Sequence, residues 1–148
     1  MKQFSIILML GVITLMGCDK SVPLEINSGK VYPLETACGK MEFRASTFSS
    51  WITVYQDFKT GEFELNFDSL AVSVYPQEAA KIDTIKFYDK DKLILDSKRT
   101  VKSGDLIRIY FIFDRPVYSS KGTLLILPCN YIVCNGSPLI SDTLRINF

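Results

Sequence analysis

Apolar residues in this chain recur with a period of two. Phe63, Leu65 and Phe67 alternate with Glu62, Glu64 and Asn66, and Leu70, Val72 and Val74 continue the pattern. The longest run is Ile107, Ile109, Phe111 and Phe113, with Arg108 and Tyr110 opposite; Leu144, Ile146 and Phe148 close the chain in the same way. Successive side chains of a strand point to opposite faces, so this spacing describes strands with one buried and one wet side. Trp51 to Tyr55 (WITVY) has the β-branched and aromatic composition that strands favour. No stretch carries a helical stripe, although Gln77 to Lys81 suffices for one helical turn between sheets. Turn residues punctuate the runs: Lys59-Thr60-Gly61, Asp89-Lys90-Asp91, Ser103-Gly104-Asp105 and the hairpin dipeptide Asn135-Gly136. The expectation is an all-β antiparallel sandwich of about eight or nine short strands, occupying residues 30–148 as one domain.

The first 17 residues lie outside that pattern. Met1-Lys2-Gln3 is a short basic start, and the 13 residues from Phe4 to Met16 are almost wholly apolar. A bilayer-spanning helix takes roughly 20 residues, so this is the plan of a cleaved secretory signal. Leu15-Met16-Gly17-Cys18 resembles the bacterial lipobox, with an aliphatic residue three before the cysteine and a small one directly before it. That resemblance implies cleavage after Gly17 and acylation of Cys18, and hence a membrane attachment through lipid. Residues 18–29, polar and carrying Pro23 and Ser28-Gly29, then read as a flexible tether.

Charge excludes one class of partner. The chain has 17 basic and 16 acidic side chains, and loss of Lys2 with the leader leaves the mature protein formally neutral. Nucleic-acid binding needs a basic stripe, which the sequence does not offer. No histidine occurs. Ser-His-Asp and Cys-His catalysis and His-ligated zinc are therefore excluded, and no residue set asks for a cofactor or a metal.

Cys38, Cys129 and Cys134 remain after lipidation, so at most one internal disulfide forms. Cys129 and Cys134 would lie roughly 16 Å apart on one extended strand and bridge only if the segment between them curls. Cys38 joined to either would tie the first strand to the last hairpin. Glu62 and Glu64 share a strand face at roughly 7 Å, the default spacing of a solvated face. Asp89 and Asp91 fit a turn better than a calcium site. Trp51, Tyr55, Tyr75, Tyr88, Tyr110 and Tyr118 are available for a platform that stacks on sugar rings, with Tyr88, Tyr110 and Tyr131 the first binding candidates. Asp68-Ser69-Leu70, Asp83-Thr84-Ile85 and Asp142-Thr143-Leu144 are similar to the O-glycosylation acceptor of exported Bacteroidota proteins, which marks Ser69, Thr84 and Thr143. The lipobox and the Lys/Asp/Ile/Tyr-rich style also resemble that phylum. Asn135-Gly136-Ser137 matches an N-glycosylation sequon, but Pro138 follows it.

Lys102 to Pro116 resembles the turn and central strand of immunoglobulin-like domains, although the Cys–Trp–Cys spacing of antibody domains is absent. Folds of that architecture host many functions. The sequence favours a non-enzymatic envelope module that binds a protein or glycan. A narrower version is an inhibitor or immunity lipoprotein that blocks a hydrolase with a rigid tip at Cys129 to Pro138. The competing class is a carboxylate-dependent glycan hydrolase. Asp19 behind the lipidated cysteine resembles the inner-membrane retention signal of enteric bacteria, and the acidic run of Bacteroidota surface lipoproteins is missing. A periplasm-facing location is expected, on either membrane.

Overall fold

A computed structural model describes residues 24–26, 30–117, 121–128, 130–139 and 143–148. The leader, Cys18, Cys129 and Tyr118 lie outside these residues. Thirteen strands follow in order: β1 (Leu24–Ile26), β2 (Val31–Thr36), β3 (Gly39–Phe48), β4 (Trp51–Asn66), β5 (Ala71–Tyr75), β6 (Ile82–Asp89), β7 (Lys92–Leu93), β8 (Lys98–Lys102), β9 (Leu106–Phe113), β10 (Thr123–Leu127), β11 (Ile132–Cys134), β12 (Ser137–Pro138) and β13 (Leu144–Asn147). They form two sheets, and the fold is an all-β sandwich. The larger sheet runs β12-β11-β4-β9-β6-β7, with β3, itself paired to β2, and β8 also joined to β4; the smaller runs β1-β13-β10-β5.

The alternating runs become the two inner faces. On the large sheet Met41, Phe43 and Ala45 of β3, Ile52, Val54 and Phe58 of β4, and Ile107, Ile109, Phe111 and Phe113 of β9 are buried. Leu124 and Ile126 of β10 and Leu144 and Ile146 of β13 face them from the small sheet and belong to the same core. Each such side chain contributes about 1.5–3 kcal/mol relative to exposure, which is why the one-residue alternation is enforced along every strand.

Four expectations change. The strands number thirteen among the described residues, and two are long, because Lys59-Thr60-Gly61 does not reverse the chain: Trp51 to Asn66 is one strand. Gly61 takes φ +86° and bends it, and Gly39 opposite takes φ +149°. The two backbones approach so closely that a Cβ on Gly39 would meet the Thr60 carbonyl, and one on Gly61 the Cys38 carbonyl. Before the bend β4 pairs with β3 and β9; beyond it, with β8 and β11. Part of the expected tether is strand as well, since Leu24–Ile26 pairs in parallel with Leu144–Ile146 and occupies the open edge of β13.

The segment around Tyr131 is the third correction. It does not project; Tyr131 and Ile132 are buried, β11 pairs with β4, and the Asn135-Gly136 turn (φ +54° and +79°) folds β12 back on β11. Tyr131 itself is the fourth. It is 1% exposed, packs near the rings of Phe67 and Phe87, and donates its hydroxyl to Gln56 Oε1 at 2.7 Å, so it is a core residue and not a binding tyrosine. The other turns form where expected, with Lys90 at φ +57° and Gly104 at φ +96°. The helical turn at Gln77–Ala79 is a 3-10 turn that carries the chain from the small sheet to the large one.

Candidate functional site

The residues that alternate with the core on β3, β4, β9 and β6 make the outer face of the large sheet. Register sets them in rows across the strands. One row runs Arg44, Tyr55, Arg108, Tyr88, and the next Ser46, Thr53, Tyr110, Lys86. A third holds Phe48, Trp51, Ile112 and Thr84. Cross-strand neighbours stand about 4.5–5.5 Å apart, which brings rings and guanidinium groups into contact. The Arg44 guanidinium lies 4.1 Å from the Tyr55 ring centre, and that of Arg108 lies 5.8 Å and 5.9 Å from those of Tyr88 and Tyr110. All three distances fall within the range of cation–π attraction. Tyr88 and Tyr110 meet edge to face at 5.2 Å, and the rings of Phe48 and Trp51 are tilted against each other at 4.9 Å. Thr53, in the middle of the face, is only 3% exposed, so the surrounding side chains lie over the sheet instead of standing off it. Phe48 projects most, at 62% exposure.

The same face changes character toward the Gly39–Gly61 end. There Lys59 pairs with Asp57 at 3.0 Å and with Glu42 at 3.7 Å, and Lys40 with Glu35 at 3.8 Å. The hydrogen bond that Lys59 donates to Asp57, with the charges of Asp57 and Glu42, holds the Lys59 ammonium above its ordinary pKa. These charges satisfy one another. In the aromatic half, by contrast, Arg44 and Lys86 are exposed and have no carboxylate within ion-pair distance among the described residues. Arg108 reaches Asp91 at 3.5 Å, donates to Tyr110 Oη at 3.3 Å, and binds the Lys90 carbonyl.

Compared with protein-family models, curated proteins and solved structures, the chain matches none.

Tyr88 and Tyr110 are brought together on the outer face, with Trp51 and Tyr55 beside them. Tyr75 is 70% exposed but sits on the small sheet, apart from this cluster. Glu62 and Glu64 are exposed side by side on β4, opposite Lys102 and Thr100. They border a hollow of ≈ 470 Å³ with Val133, Asn135 and Gly136, but they project from one strand and do not converge from two elements. Asp89 accepts from Arg99 at 2.9 Å and Asp91 faces Arg108, so the two aspartates are drawn to different arginines. Cys38 and Cys134 form the disulfide, with Cα atoms 5.8 Å apart; Cys129, the other named partner, lies outside the described residues. Of the acceptor-like residues, Thr84 is exposed on β6, while Ser69 and Thr143 are half-buried.

Sequence reasoning passed over Arg44, Phe48 and Lys86. The signal was present for two of them: Met41, Phe43 and Ala45 alternate with Glu42, Arg44 and Ser46, which makes β3 legible and puts Arg44 and Phe48 on the wet side. Their association with Tyr55 and Trp51 depends on register, which no local pattern specifies.

A second hollow, of ≈ 450 Å³, opens between the sheets beside Gln77, Lys81, Asp114 and Arg115. Two of its charges, Asp114 and Arg115, are matched to each other. Arg115 Nε pairs with Asp114 Oδ1 at 3.0 Å, and that bond, with the Lys81 amide, holds the Asp114 carboxyl below its ordinary value.

Proposed function

We propose that this chain is a lipid-anchored, non-enzymatic module of a bacterial cell envelope, which docks a protein or glycan partner on the aromatic–arginine half of its large sheet. The observation that carries the reading is the cluster of Trp51, Tyr55, Tyr88 and Tyr110 with Arg44 and Arg108 on a solvent-facing sheet surface. Trp, Tyr and Arg are the residue types that dominate binding hot spots, since each joins a large apolar area to a polar handle. The lipobox and leader support the anchor, and the Cys38–Cys134 disulfide supports an oxidising compartment outside the cytoplasm. A Bacteroidota-like source, a periplasm-facing position and the immunoglobulin-like form of the sandwich are the finer parts of this reading. The last rests on Lys102 to Pro116.

The inhibitor alternative loses its projecting tip, because Ile132 to Pro138 is bonded into the sheet edge. The hydrolase alternative draws on Glu62 and Glu64, whose parallel placement on one strand face is poorly suited to acid–base work on opposite sides of a bond. The test is photo-crosslinking in cells, with the crosslinker at Ile112. The wild-type lipoprotein is expected to give a discrete adduct that disappears in Trp51→Ala/Tyr110→Ala while melting stays within a few degrees. Unchanged crosslinking in that variant removes this face from the function.

A further inference from the structure

We infer that the aromatic–arginine half of this face takes an acidic, uronate-bearing polysaccharide laid across the strands, an inference that rests on the docking reading above. Three observations lead there. First, ring and guanidinium alternate along the row Arg44, Tyr55, Arg108, Tyr88. With strands about 4.8 Å apart, the row spans about 14 Å, the reach of a short oligosaccharide. A ring offers an apolar face to the C–H face of a pyranose, and a guanidinium offers a planar fork to a carboxylate. The Arg44 guanidinium sits over the Tyr55 ring at 4.1 Å, so less side-chain freedom remains to be lost when it binds.

Second, the charge is of one sign. Arg44, Lys86 and Arg108 stand in these rows and no acidic residue does; the carboxylates that border the rows are Asp91, 3.5 Å from Arg108, Asp83 beside Thr84, and Glu42 with Asp57 in the next row. A neutral sugar would meet those cations with hydroxyls alone and leave their charge unpaired. Glu42 and Asp57 are both drawn to Lys59, and Glu35 to Lys40, which leaves Arg44 and Lys86 without an ion-pair partner among the described residues.

Third, the area is small. Four strands by five residues make roughly 200–300 Å² from the strand spacings, well under the roughly 800 Å² per partner of a stable protein interface. A flat patch of this size suits a few sugar rings better than a folded partner.

The test is affinity electrophoresis of the detergent-solubilised, full lipoprotein through gels containing polygalacturonate, alginate or hyaluronate, with uncharged dextran as reference. At least one uronate polymer is expected to retard the protein, and dextran is not. Arg44→Gln/Arg108→Gln should weaken retardation about tenfold or more, the loss expected for charge-assisted hydrogen bonds. Tyr55→Ala should weaken it too, and Lys40→Gln/Lys59→Gln should not. Melting curves confirm that each variant is folded. The inference is overturned if none of the three polymers retards the protein, if dextran retards it equally, or if the Lys40/Lys59 variant loses as much as the arginine variant. If the uronates fail while the Ile112 crosslink still depends on Trp51 and Tyr110, the docking reading survives with a protein partner. If both fail, the face has no docking role.

Discussion

The Tyr131 hydroxyl donates to Gln56 Oε1 at 2.7 Å, and Gln56 Nε2 donates to Met41 Sδ at 3.4 Å, all inside the core. Gln56 stands at an inward position of β4 and is fully buried. Its burial is tolerable because both ends of the amide find a partner. Tyr131→Phe should therefore cost about 1–2 kcal/mol in urea unfolding, since it leaves Gln56 Oε1 buried and unpaired. Burial also pushes the Tyr131 phenol far above the ordinary value of 10.0, so the folded protein keeps it neutral. The folded value is the higher one, so this stability is fully present below about pH 10 and declines as the unfolded chain begins to ionise. Tyr131→Phe should remove that part of the alkaline decline, visible as a flatter dependence of the urea midpoint on pH above 10.

Among the elements, β4 decides the most. It is shared by four neighbours, and the exchange of partners at Gly61 is what lets one strand serve both ends of the large sheet. Gly61→Ala should cost roughly 3 kcal/mol or more, because the left-handed backbone and the collision with the Cys38 carbonyl add together. Gly104→Ala tests the distinction: its φ is +96° but nothing lies near its Cβ, so only the backbone penalty of about 1–2 kcal/mol applies. Urea midpoints of the two variants separate the effects. Cys38 sits next to this crossing, and its disulfide to Cys134 ties the β2–β3 hairpin to β11 across 96 residues of chain. In the chain-entropy account a loop of that size contributes several kcal/mol, and native disulfides typically contribute about 2–4. Cys38→Ala/Cys134→Ala should lower the melting temperature by roughly 10 °C. Three of the sheet ends are blunted: β2 contains Pro33, β12 is two residues ending in Pro138, and β7 is two residues led by Lys92. Short strands, proline and lysine discourage edge-to-edge pairing at these three ends.

At the scale of the whole molecule, the proposed lipid anchor would be carried on the same chain as a sandwich with one aromatic side. Metabolic labelling with an alkynyl palmitate should mark the wild-type chain and leave Cys18→Ser dark; equal labelling of both would remove the anchor. The small sheet brings strands from the two ends of the chain together, with Leu24 opposite Leu144 and Ser73 opposite Leu125. Such pairings cost loop-closure entropy before they return any contact, so their choice depends on the closed core and not on neighbouring residues. This is why Leu24–Ile26 read as tether: nothing within that tripeptide announces a partner more than a hundred residues away. The aromatic–arginine face was half legible for the same reason. Tyr88 and Tyr110 could be placed on wet strand faces from alternation, whereas their contact with Arg108 and the neighbouring Arg44–Tyr55 pair follow from register. Tyr131 was misplaced because the short segment around it has no period to read, and the acceptor its buried hydroxyl needs is Gln56, 75 positions earlier.

The sequence by itself determined the strand class, the core positions of the alternating runs at Phe63–Phe67, Ile107–Phe113 and Leu144–Ile146, the hairpin at Asn135-Gly136 and a short apolar stretch before Cys18. All of these rest on interactions spanning a few residues: the pleat, the left-handed turn, the length of an apolar run. Only the tertiary structure decided that Trp51 to Asn66 is one strand, that Cys38 pairs with Cys134, and that arginines and tyrosines interleave across four strands. Those outcomes depend on register between distant segments, which is set when the two sheets close over a shared core and each strand commits its apolar face inward.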